Sequence, residues 1–504
     1  MKESQSFHLK SRIPALLAVG LLLLGLLLRI NDLTDPPFDF HPTRQLRSAI
    51  IARGMYYQML PSAEPELRER AVGLWGTMEA YEPPVFERLV ALTYLLTGEK
   101  LWIARLYSSL VWLAGGWALY DLLRRMTSSS AALFSLGFYL VLPFSVVASR
   151  SFQPDPWMVS LTICAAWALY RWGECMGKSW KFAVLAGVFA GLAMLFKVYA
   201  VFWVAGMALG VVLGSGSVLG CLRRPQTWVL ASLAIFIPAS YYLFGIGARS
   251  TEFALFWTIG MSDLLRQSKF YVKWLALVRG LVDQSVFFAA LAGSLLYAGK
   301  ARGLALGLWV GYLLLGLTFP FQIYSHEYYS LVLVPAAAIG LAPIVEAVFG
   351  VVRRQPFVWR IGFMAILAGV MGYYAWVSRS VLVAENWSKE PIPWQQMGAQ
   401  LPRDGAVIGL VHDYGNRLKY YGWTTVQRFW PSSADVGLGE AAGSPRISGD
   451  FSEYFQSQVR GMDYFLVTLF SDLDAQPLLK AALDQYPIAQ KGDGYVLFDL
   501  RQKK

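Results

Sequence analysis

The chain has 504 residues, of which 56% are hydrophobic and only 15% are charged, and its mean hydropathy is +0.43. Soluble globular domains are about 45–50% apolar and about 25% charged, so this composition excludes a row of ordinary soluble domains. A chain this apolar and aromatic also cannot stay disordered in water. An integral membrane protein with some attached soluble mass is therefore predicted.

The formal net charge of +11 is unevenly distributed along the chain. From Val381 to the end there are 12 basic and 14 acidic residues, which leaves 32 basic and 19 acidic residues before that point. The basic excess thus falls in the hydrophobic part, where anionic lipids and the preference of basic loops for the cytoplasmic side account for it. Nucleic acid is not predicted as a partner.

The first hydrophobic stretch, Ile13 to Leu28, follows basic residues and is not followed by a small-residue cleavage site. This pattern predicts an uncleaved first helix with its N-terminus inside the cell. Ten further stretches, each near the roughly 20 residues that cross a bilayer, cover about 101–122, 131–149, 157–172, 181–197, 199–215, 227–246, 285–299, 304–320, 328–349 and 358–378.

Basic loops such as Arg124-Arg125 and Arg353-Arg354 fall on alternate sides of these stretches. A polytopic α-helical membrane protein with about eleven transmembrane helices follows, in a bacterial inner membrane with a cytoplasmic N-terminus. We expect a membrane domain over 1–380, with long extracytoplasmic loops at 31–100 and 247–284. Residues 381–504 then form an extracytoplasmic, periplasmic domain.

Within the first long loop, 44–60 has the apolar spacing of an amphipathic helix, and Pro83-Pro84 opens a second apolar stretch over 85–96. After 381 the pattern changes to short strand-like runs that alternate with helical runs. The expected strands are 407–411, 425–429, 464–469 and 495–500, and the expected helices are 394–401, 453–460 and 475–486. This alternation predicts a small soluble α/β domain.

The first loop carries a dense polar cluster that includes Asp39, His41 and Arg44, stiffened by prolines at 36, 37 and 42. One interpretation is a preorganised general base with cationic neighbours. The alternative is a polar helix terminator in which Asp39 or Thr43 caps the following helix.

Lys197 lies inside a long apolar stretch between two predicted spans. A lysine at membrane depth costs a few kcal/mol, which makes it a functional candidate. The alternative is a lysine at the outer turn that extends to the lipid headgroups. An outer-turn lysine also suits contact with a lipid phosphate.

Two further outside turns carry polar residues, one around Asp155 and one over Tyr324–Tyr329 that contains His326, Glu327 and Tyr328. Each alone is typical of an ordinary polar turn, but several on one face indicate a shared cavity. The second long loop adds Arg266 and Lys269, which can form a basic collar for anionic lipid or contact a donor phosphate.

At these positions the chain resembles the GT-C membrane glycosyltransferases, especially the family of dolichyl-phosphate-mannose protein mannosyltransferases and lipid A aminoarabinose transferases. The resemblance covers about the first 200 residues, and more loosely extends to about Ala338. Its elements, in chain order, are Phe38-Asp39-Phe40-His41-Pro42, Glu82-Pro83-Pro84-Val85-Phe86, Ala104-Arg105-Leu106-Tyr107-Ser108, Ser149–Asp155, Lys197 and His326–Tyr329.

The resemblance implies a GT-C fold, a sugar donor linked to a polyprenyl or dolichyl phosphate, and inverting transfer outside the cytoplasm. It implies that Asp39 is the catalytic base, with His41 to orient it or touch the sugar. We expect Lys197 to contact the donor phosphate. Arg44, and then Arg266 or Lys269, are the next candidates for the same role. Sugar or acceptor contacts are expected from a second set, which is Glu82, Asp155, His326, Glu327 and Tyr328.

Two positions differ from the relatives' pattern. Many relatives have an Asp-Glu pair at the tip of the first loop, where this chain has Asp39 and Phe40, and Glu82 replaces a basic residue or His. The acceptor is a lipid, polysaccharide or protein. No cofactor or metal is predicted, although Asp35 and Asp39 can share a divalent cation. The remaining alternatives are a membrane transporter and a lipid-binding protein.

Overall fold

A computed structural model describes residues 2–79, 82–175, 179–243, 255–402, 404–443, 445–447 and 449–504, with the side chains of the first helix described from Ile13 onward. The end of the predicted span 227–246 and the start of the loop 247–284 lie outside the described residues.

The described helices of the first 250 residues are α1 (Lys2–Arg29), α2 (Pro42–Met59), α3 (Pro65–Gly76), α4 (Val85–Thr97), α5 (Trp102–Met126), α6 (Ser129–Val141), α7 (Pro143–Ser149), α8 (Asp155–Cys175), α9 (Trp180–Phe196), α10 (Val201–Gly214), α11 (Val218–Leu222) and α12 (Pro225–Tyr242). They are followed by α13 (Ser268–Val282), α14 (Gln284–Leu296), α15 (Gly299–Thr318), α16 (Pro320–Ser325), α17 (Leu333–Val352), α18 (Phe357–Leu382), α19 (Pro391–Gln400), α20 (Asn416–Tyr421), α21 (Ser433–Ala441), α22 (Phe451–Val459), α23 (Phe470–Asp474) and α24 (Pro477–Leu483). The strands are β1 (Val407–Leu410), β2 (Arg428–Phe429), β3 (Tyr464–Val467), β4 (Ile488–Gly492) and β5 (Tyr495–Asp499).

The chain forms two compact units, each made of three separate segments of the sequence. The first unit contains Met1–Leu33, Ala80–Pro83 and Trp102–Glu385, and the second contains Thr34–Glu79, Pro84–Leu101 and Asn386–Lys504. Most of the predicted first loop thus groups with the C-terminal segment. Its apolar stretches are helical, as α2 and α4.

All eleven predicted hydrophobic stretches contain helix in the part of the chain that is described. By length and apolar composition, three helical segments are sufficient to cross a membrane, at Gly299–Thr318, Glu327–Val352 and Phe357–Leu382. Two bent pairs also qualify if each is one span, and shorter apolar helices lie at Ile13–Arg29, Trp180–Phe196 and Val198–Gly214. The number eleven stays a prediction.

The predicted straight stretch 131–149 is bent by 62° between α6 and α7, because Pro143 has no N–H to continue the helix. Three carbonyls before the bend accept hydrogen bonds from side chains. Ser145 donates to Tyr139 at 2.5 Å, Arg29 donates to Leu140 at 3.0 Å, and Ser378 donates to Val141 at 2.6 Å. The fully buried Arg29 thus stabilises a break in an apolar environment, where unsatisfied carbonyls cost several kcal/mol.

A seam of glycines joins α10 to α15. Gly206, Gly210 and Gly214 face Gly307, Gly303 and Gly299, so closely that a methyl group on Gly210 would lie 1.9 Å from the carbonyl oxygen of Gly303. Only residues without a side chain allow two helix backbones to approach this closely. Glycines four residues apart, as at Gly206, Gly210 and Gly214, are typical of closely packed helix pairs.

In the second unit, a five-stranded sheet has the order β2-β1-β3-β5-β4. β1 is parallel to β2 and β3, whereas β5 is antiparallel to β3 and β4. Successive residues of β1 point to opposite faces of the sheet, so Val407 and Ile408 belong to separate apolar clusters. The predicted alternation of strands and helices is present. The predicted helix 475–486 is observed as the shorter α24 (Pro477–Leu483), and the run 425–429 is a strand only at Arg428–Phe429. Neither α23 (Phe470–Asp474) nor β4 was expected.

Candidate functional site

In the first unit, Lys197 lies at a break in a helix. α9 ends at Phe196, Lys197 is extended with φ −151° and ψ 119°, and a short turn at Val198–Ala200 leads into α10. The Lys197 side chain is only 1% exposed. Lys197 is therefore part of the protein interior, and the alternative of a lysine that extends to the headgroups does not describe it.

Two carboxylates hold the Lys197 ammonium group. The Lys197 Nζ atom lies 3.1 Å from an Asp155 oxygen and 3.6 Å from a Glu82 oxygen. Asp155 is the first residue of α8 and is also 1% exposed, while Tyr199 donates its hydroxyl to the same Asp155 oxygen at 2.7 Å. Burial of a charge is tolerated where opposite charges and hydrogen bonds surround it, as they do here.

Aromatic rings complete the surroundings of Lys197. The Nζ atom is 5.1 Å from the ring centre of Tyr199, 5.0 Å from that of Tyr328 and 5.5 Å from that of Tyr329. Tyr199 and Tyr329 stack at 4.9 Å, and His326 lies 5.4 Å from Tyr328. The negative ring faces of tyrosines attract a cation, which stabilises the ammonium form of Lys197.

Polar atoms beside this cluster have no hydrogen-bond partner among the described residues. One is the Oδ2 atom of Asp155. Two residues earlier in the chain, both side-chain polar atoms of the fully buried Gln153 are also without a partner. A buried polar group without a partner costs about 1–3 kcal/mol. Such groups next to a buried cation are typical of a site that takes up a polar ligand or water.

Most of the residues predicted for sugar or acceptor contacts gather here. Glu82, Asp155 and Tyr328 contact Lys197, His326 contacts Tyr328, and Glu327 lies in the same turn, Glu327–Ser330. Arg266 and Lys269 are different, because both are exposed, and Arg266 pairs with Asp263 at 3.2 Å. Tyr199 and Tyr329 were not predicted as site residues. Their nearness in the sequence to Lys197 and Tyr328 was the one indication of such a role.

The other predicted cluster belongs to the second unit. The Asp39 carboxylate accepts a hydrogen bond from Gln45 at 3.4 Å, and Gln45 also donates to the Phe40 carbonyl at 2.6 Å. His41 is the N-cap residue of α2 in a left-handed conformation, φ 47°, and Arg44 lies in the first turn of that helix. The N-cap residue is thus neither Asp39 nor Thr43.

Residues after 386 hold the Asp39 loop from both ends. Before Asp39, the Trp387 backbone N–H donates to Asp35 at 3.1 Å, and the Arg417 guanidinium lies 4.8 Å from the Phe38 ring centre. After Asp39, Thr43 donates to Asp413 at 2.6 Å and its carbonyl accepts from Asn416 at 2.9 Å. These contacts were not predicted, because no sequence pattern links residues so far apart.

Among the described residues, no group of three or more His, Cys, Asp or Glu side chains is arranged to hold a metal ion. The metal requirement stays a prediction.

Comparisons with known proteins identify the fold. The family model described as dolichyl-phosphate-mannose-protein mannosyltransferase matches residues 81–242, about a third of the chain. ArnT from Cupriavidus metallidurans, in a crystal structure bound to undecaprenyl phosphate, superposes with a TM-score of 0.59 and 16% identity, over 96% of this chain and 97% of ArnT. No curated protein matches the sequence.

The oligosaccharyltransferase AglB from Archaeoglobus fulgidus, in complex with an inhibitory peptide and a dolichol-phosphate, superposes with a TM-score of 0.58 and 12% identity. The match covers 98% of this chain and 75% of AglB. The chain has the fold of the GT-C membrane glycosyltransferases. The resemblance seen in the sequence is thereby confirmed, and the segment matched by the family model includes Glu82, Asp155 and Lys197.

Proposed function

We propose that this GT-C protein is an inverting glycosyltransferase that moves a monosaccharide from a polyprenyl-phosphate donor to an acceptor hydroxyl, on the extracytoplasmic face of a bacterial inner membrane. The observation that carries the proposal is the buried Lys197 cluster in a fold shared with ArnT and AglB. ArnT is bound to undecaprenyl phosphate and AglB to a dolichol-phosphate in those structures, which supports a lipid phosphate as the ligand here.

In this proposal, Lys197 stabilises the leaving phosphate. The bond between the anomeric carbon and the phosphate oxygen breaks, the electron pair stays on that oxygen, and a fixed cation compensates the growing charge. Because Asp155 and Glu82 already compensate Lys197, a phosphate must replace or share one of these ion pairs. Glu82 is the weaker partner, at 3.6 Å and 16% side-chain exposure, so we expect the phosphate to displace it.

Asp39 is the proposed base. It removes the proton from the acceptor hydroxyl as the new bond to the anomeric carbon forms on the face opposite the phosphate. A positioned base contributes roughly 10²–10⁴-fold to such a step. His41 and Arg44 are proposed to orient Asp39 and to contact the sugar.

The donor site is tested by the lipid that the purified protein retains. We expect wild-type protein in mild detergent to retain a polyprenyl-phosphate sugar, detected by mass spectrometry, and to bind added undecaprenyl phosphate. Lys197→Met should weaken undecaprenyl phosphate binding at least about tenfold, since loss of a buried charge contact costs about 2–5 kcal/mol. Lys181→Met, on the exposed start of α9, is the matched control and should bind normally.

Since Lys197→Met leaves two buried carboxylates without their cation, its fold must be checked by size-exclusion chromatography. Lys197→Arg keeps the charge and should retain part of the binding. Undecaprenyl phosphate affinity that is unchanged in a folded Lys197→Met protein would exclude the phosphate role.

The base is tested separately by turnover. In membranes that contain Asp39→Asn, we expect the ratio of free to glycosylated polyprenyl phosphate to equal that of membranes without the protein, while the variant still retains donor lipid. The wild type should raise that ratio. It should do so with or without EDTA, because we propose that the reaction needs no metal. The ground for this is that the first loop has no D-x-D triplet. Near-normal turnover by Asp39→Asn contradicts its role as the base.

A further inference from the structure

The second unit contains a half-open pocket of about 340 Å³ that the proposed reaction does not use. Its volume is within the range of small-molecule sites. Residues from α3, α19, β1 and the segment that leads into β2 line it, and they include Arg70, Gly73, Trp423, Thr424, Thr425 and Gln427.

The lining favours a neutral ligand with many hydroxyl groups. Thr424, Thr425 and Gln427 bring hydroxyl and amide groups to the lining. The Thr425 hydroxyl donates to the Val426 carbonyl at 3.1 Å and can still accept, and the Gln427 amide oxygen accepts from the Val407 N–H at 2.6 Å while its NH₂ group can still donate. Among the lining residues that the structure describes, Arg70 is the one charged side chain, and it pairs with Glu66 at 2.8 Å, so this described lining carries little net charge. These features differ from a phosphate site, which needs clustered cations.

A lipid tail does not suit this pocket, because the lining is polar. The first unit has a cavity of about 370 Å³ with an almost wholly apolar lining, in which Trp274 and Trp309 lie among aliphatic side chains. The pocket of the second unit instead exposes more polar than apolar surface. An acyl or prenyl chain would bury those polar groups without hydrogen bonds, which is unfavourable.

Trp423 supplies an aromatic surface in this pocket and is held in a strained conformation. Its φ is 53°, a left-handed value that bulky residues rarely adopt. Such a strained conformation persists only where surrounding contacts hold it. The Arg53 guanidinium lies 4.1 Å from the Trp423 ring centre, and Tyr57 packs against the ring edge at 5.7 Å.

We propose that this pocket binds a saccharide unit of the acceptor. A pyranose or furanose ring has a face of C–H bonds that packs on the indole, and hydroxyls at its edge that bond to Thr424, Thr425 and Gln427. Saccharide binding follows from the pocket alone, whereas the assignment of that saccharide to the acceptor rests on the proposed function.

Gly73 provides a variant that fills the pocket with little risk to the fold. It is exposed on α3, and a side chain there meets no atom within 4 Å at its Cβ position. Because Gly73 lines the pocket, we expect the side chain of Gly73→Leu to reduce the space for a ligand, and leucine also improves helix propensity. Gly76→Leu is the matched control, because Gly76 is on the same helix, equally open at Cβ, and absent from the pocket lining.

The test uses the full chain in detergent micelles on an array of immobilised neutral mono- and oligosaccharides, with peptide and phosphorylated saccharide spots beside them. We expect the wild type to bind at least one neutral saccharide, and the Kd for that saccharide in solution to rise at least tenfold in Gly73→Leu. Gly76→Leu should stay within twofold of wild type.

Three results would overturn the proposal. They are no binding of any neutral saccharide by the wild type, binding to the peptide or phosphorylated spots alone, and equal affinity in Gly73→Leu and wild type. The array measures saccharide binding without donor lipid or transfer, so failure of the transferase assignment and failure of the pocket assignment give different patterns.

Discussion

Lys197 shows what one residue in an apolar sequence reveals and what it does not. A lysine between two apolar runs is exceptional, so the sequence identifies it as a candidate for function. Its position inside the unit depends on the end of α9 at Phe196, and its partners Asp155 and Glu82 come from distant segments. No local pattern predicts that pairing, although the resemblance to GT-C enzymes places the three residues on one face.

A second buried lysine, Lys419 on α20, gives a prediction about pH. Its side chain is 3% exposed, and burial lowers the pKa of the Lys419 ammonium from 10.5 to about 8, while Glu79 opposes the shift. Below pH 8 the folded protein bears the full cost of this burial. Between pH 8 and 10.5 the unfolded chain holds the proton and the folded chain does not, so the stability of the wild type rises with pH.

We therefore expect Lys419→Met to unfold at a higher temperature than the wild type at pH 7. The gain in free energy of unfolding is up to about 3 kcal/mol, because each unit of pKa shift corresponds to about 1.36 kcal/mol. The difference should shrink as pH rises from 8 to 10. Thermal unfolding of the full chain in detergent measures it, with the exposed Lys480→Met as the control, for which we expect no change. A difference between Lys419→Met and wild type that is constant across this pH range would contradict the low pKa.

At the scale of elements, helix ends and helix contacts differ in how well the sequence indicates them. Pro143 predicts a break in a straight helix, but the Arg29 side chain that completes the bend comes from α1 and has no local signal. The spacing of Gly206, Gly210 and Gly214 indicates close packing, while the identity of α15 as the partner requires the structure.

The glycine seam predicts a sharp difference between two similar substitutions. Gly210→Ala places a methyl group 1.9 Å from the Gly303 carbonyl oxygen, so α10 and α15 must separate. Overpacking of this kind costs about 1–3 kcal/mol. We expect a lower unfolding temperature for the full chain in detergent.

Gly362→Ala is the control for this prediction, because Gly362 lies on α18 and a methyl group there meets no atom within 4 Å. It should be neutral or slightly stabilising, since alanine favours helix by up to about 1 kcal/mol over glycine. Equal effects of Gly210→Ala and Gly362→Ala would mean that α10 and α15 do not pack as closely as described.

At the scale of the whole chain, the sequence predicts the hydrophobic helices and the α/β pattern near the C-terminus, because these follow from periodicities of 3.6 and 2 residues. It does not predict that 34–79, 84–101 and 386–504 form one compact unit. That grouping depends on contacts between separate segments, such as those of Asp413 and Asn416 with Thr43. Composition and local order contain no signal for it.

Arg53 joins all three segments of this unit. Its guanidinium forms an ion pair with Glu99 at 2.8 Å, donates to the Tyr420 carbonyl, and lies 3.8 Å from the Tyr420 ring centre. Tyr420 in turn donates its hydroxyl to Glu99 at 2.7 Å. Both charged side chains are at most 16% exposed, so each depends on the other for compensation.

We predict that Arg53→Met destabilises the full chain by about 3–5 kcal/mol, because it leaves the Glu99 carboxylate buried without its cation. Arg53→Met with Glu99→Gln removes both charges and should recover part of that loss. Hydrogen exchange of peptides that cover 43–59, 84–101 and 416–423 measures whether the segments loosen together, as the shared ion pair requires.

The control is Arg70→Met, which removes a half-exposed pair with Glu66 on α3 and should cost less than about 1 kcal/mol. Faster exchange confined to 43–59 in Arg53→Met would contradict the view that Arg53 couples the three segments.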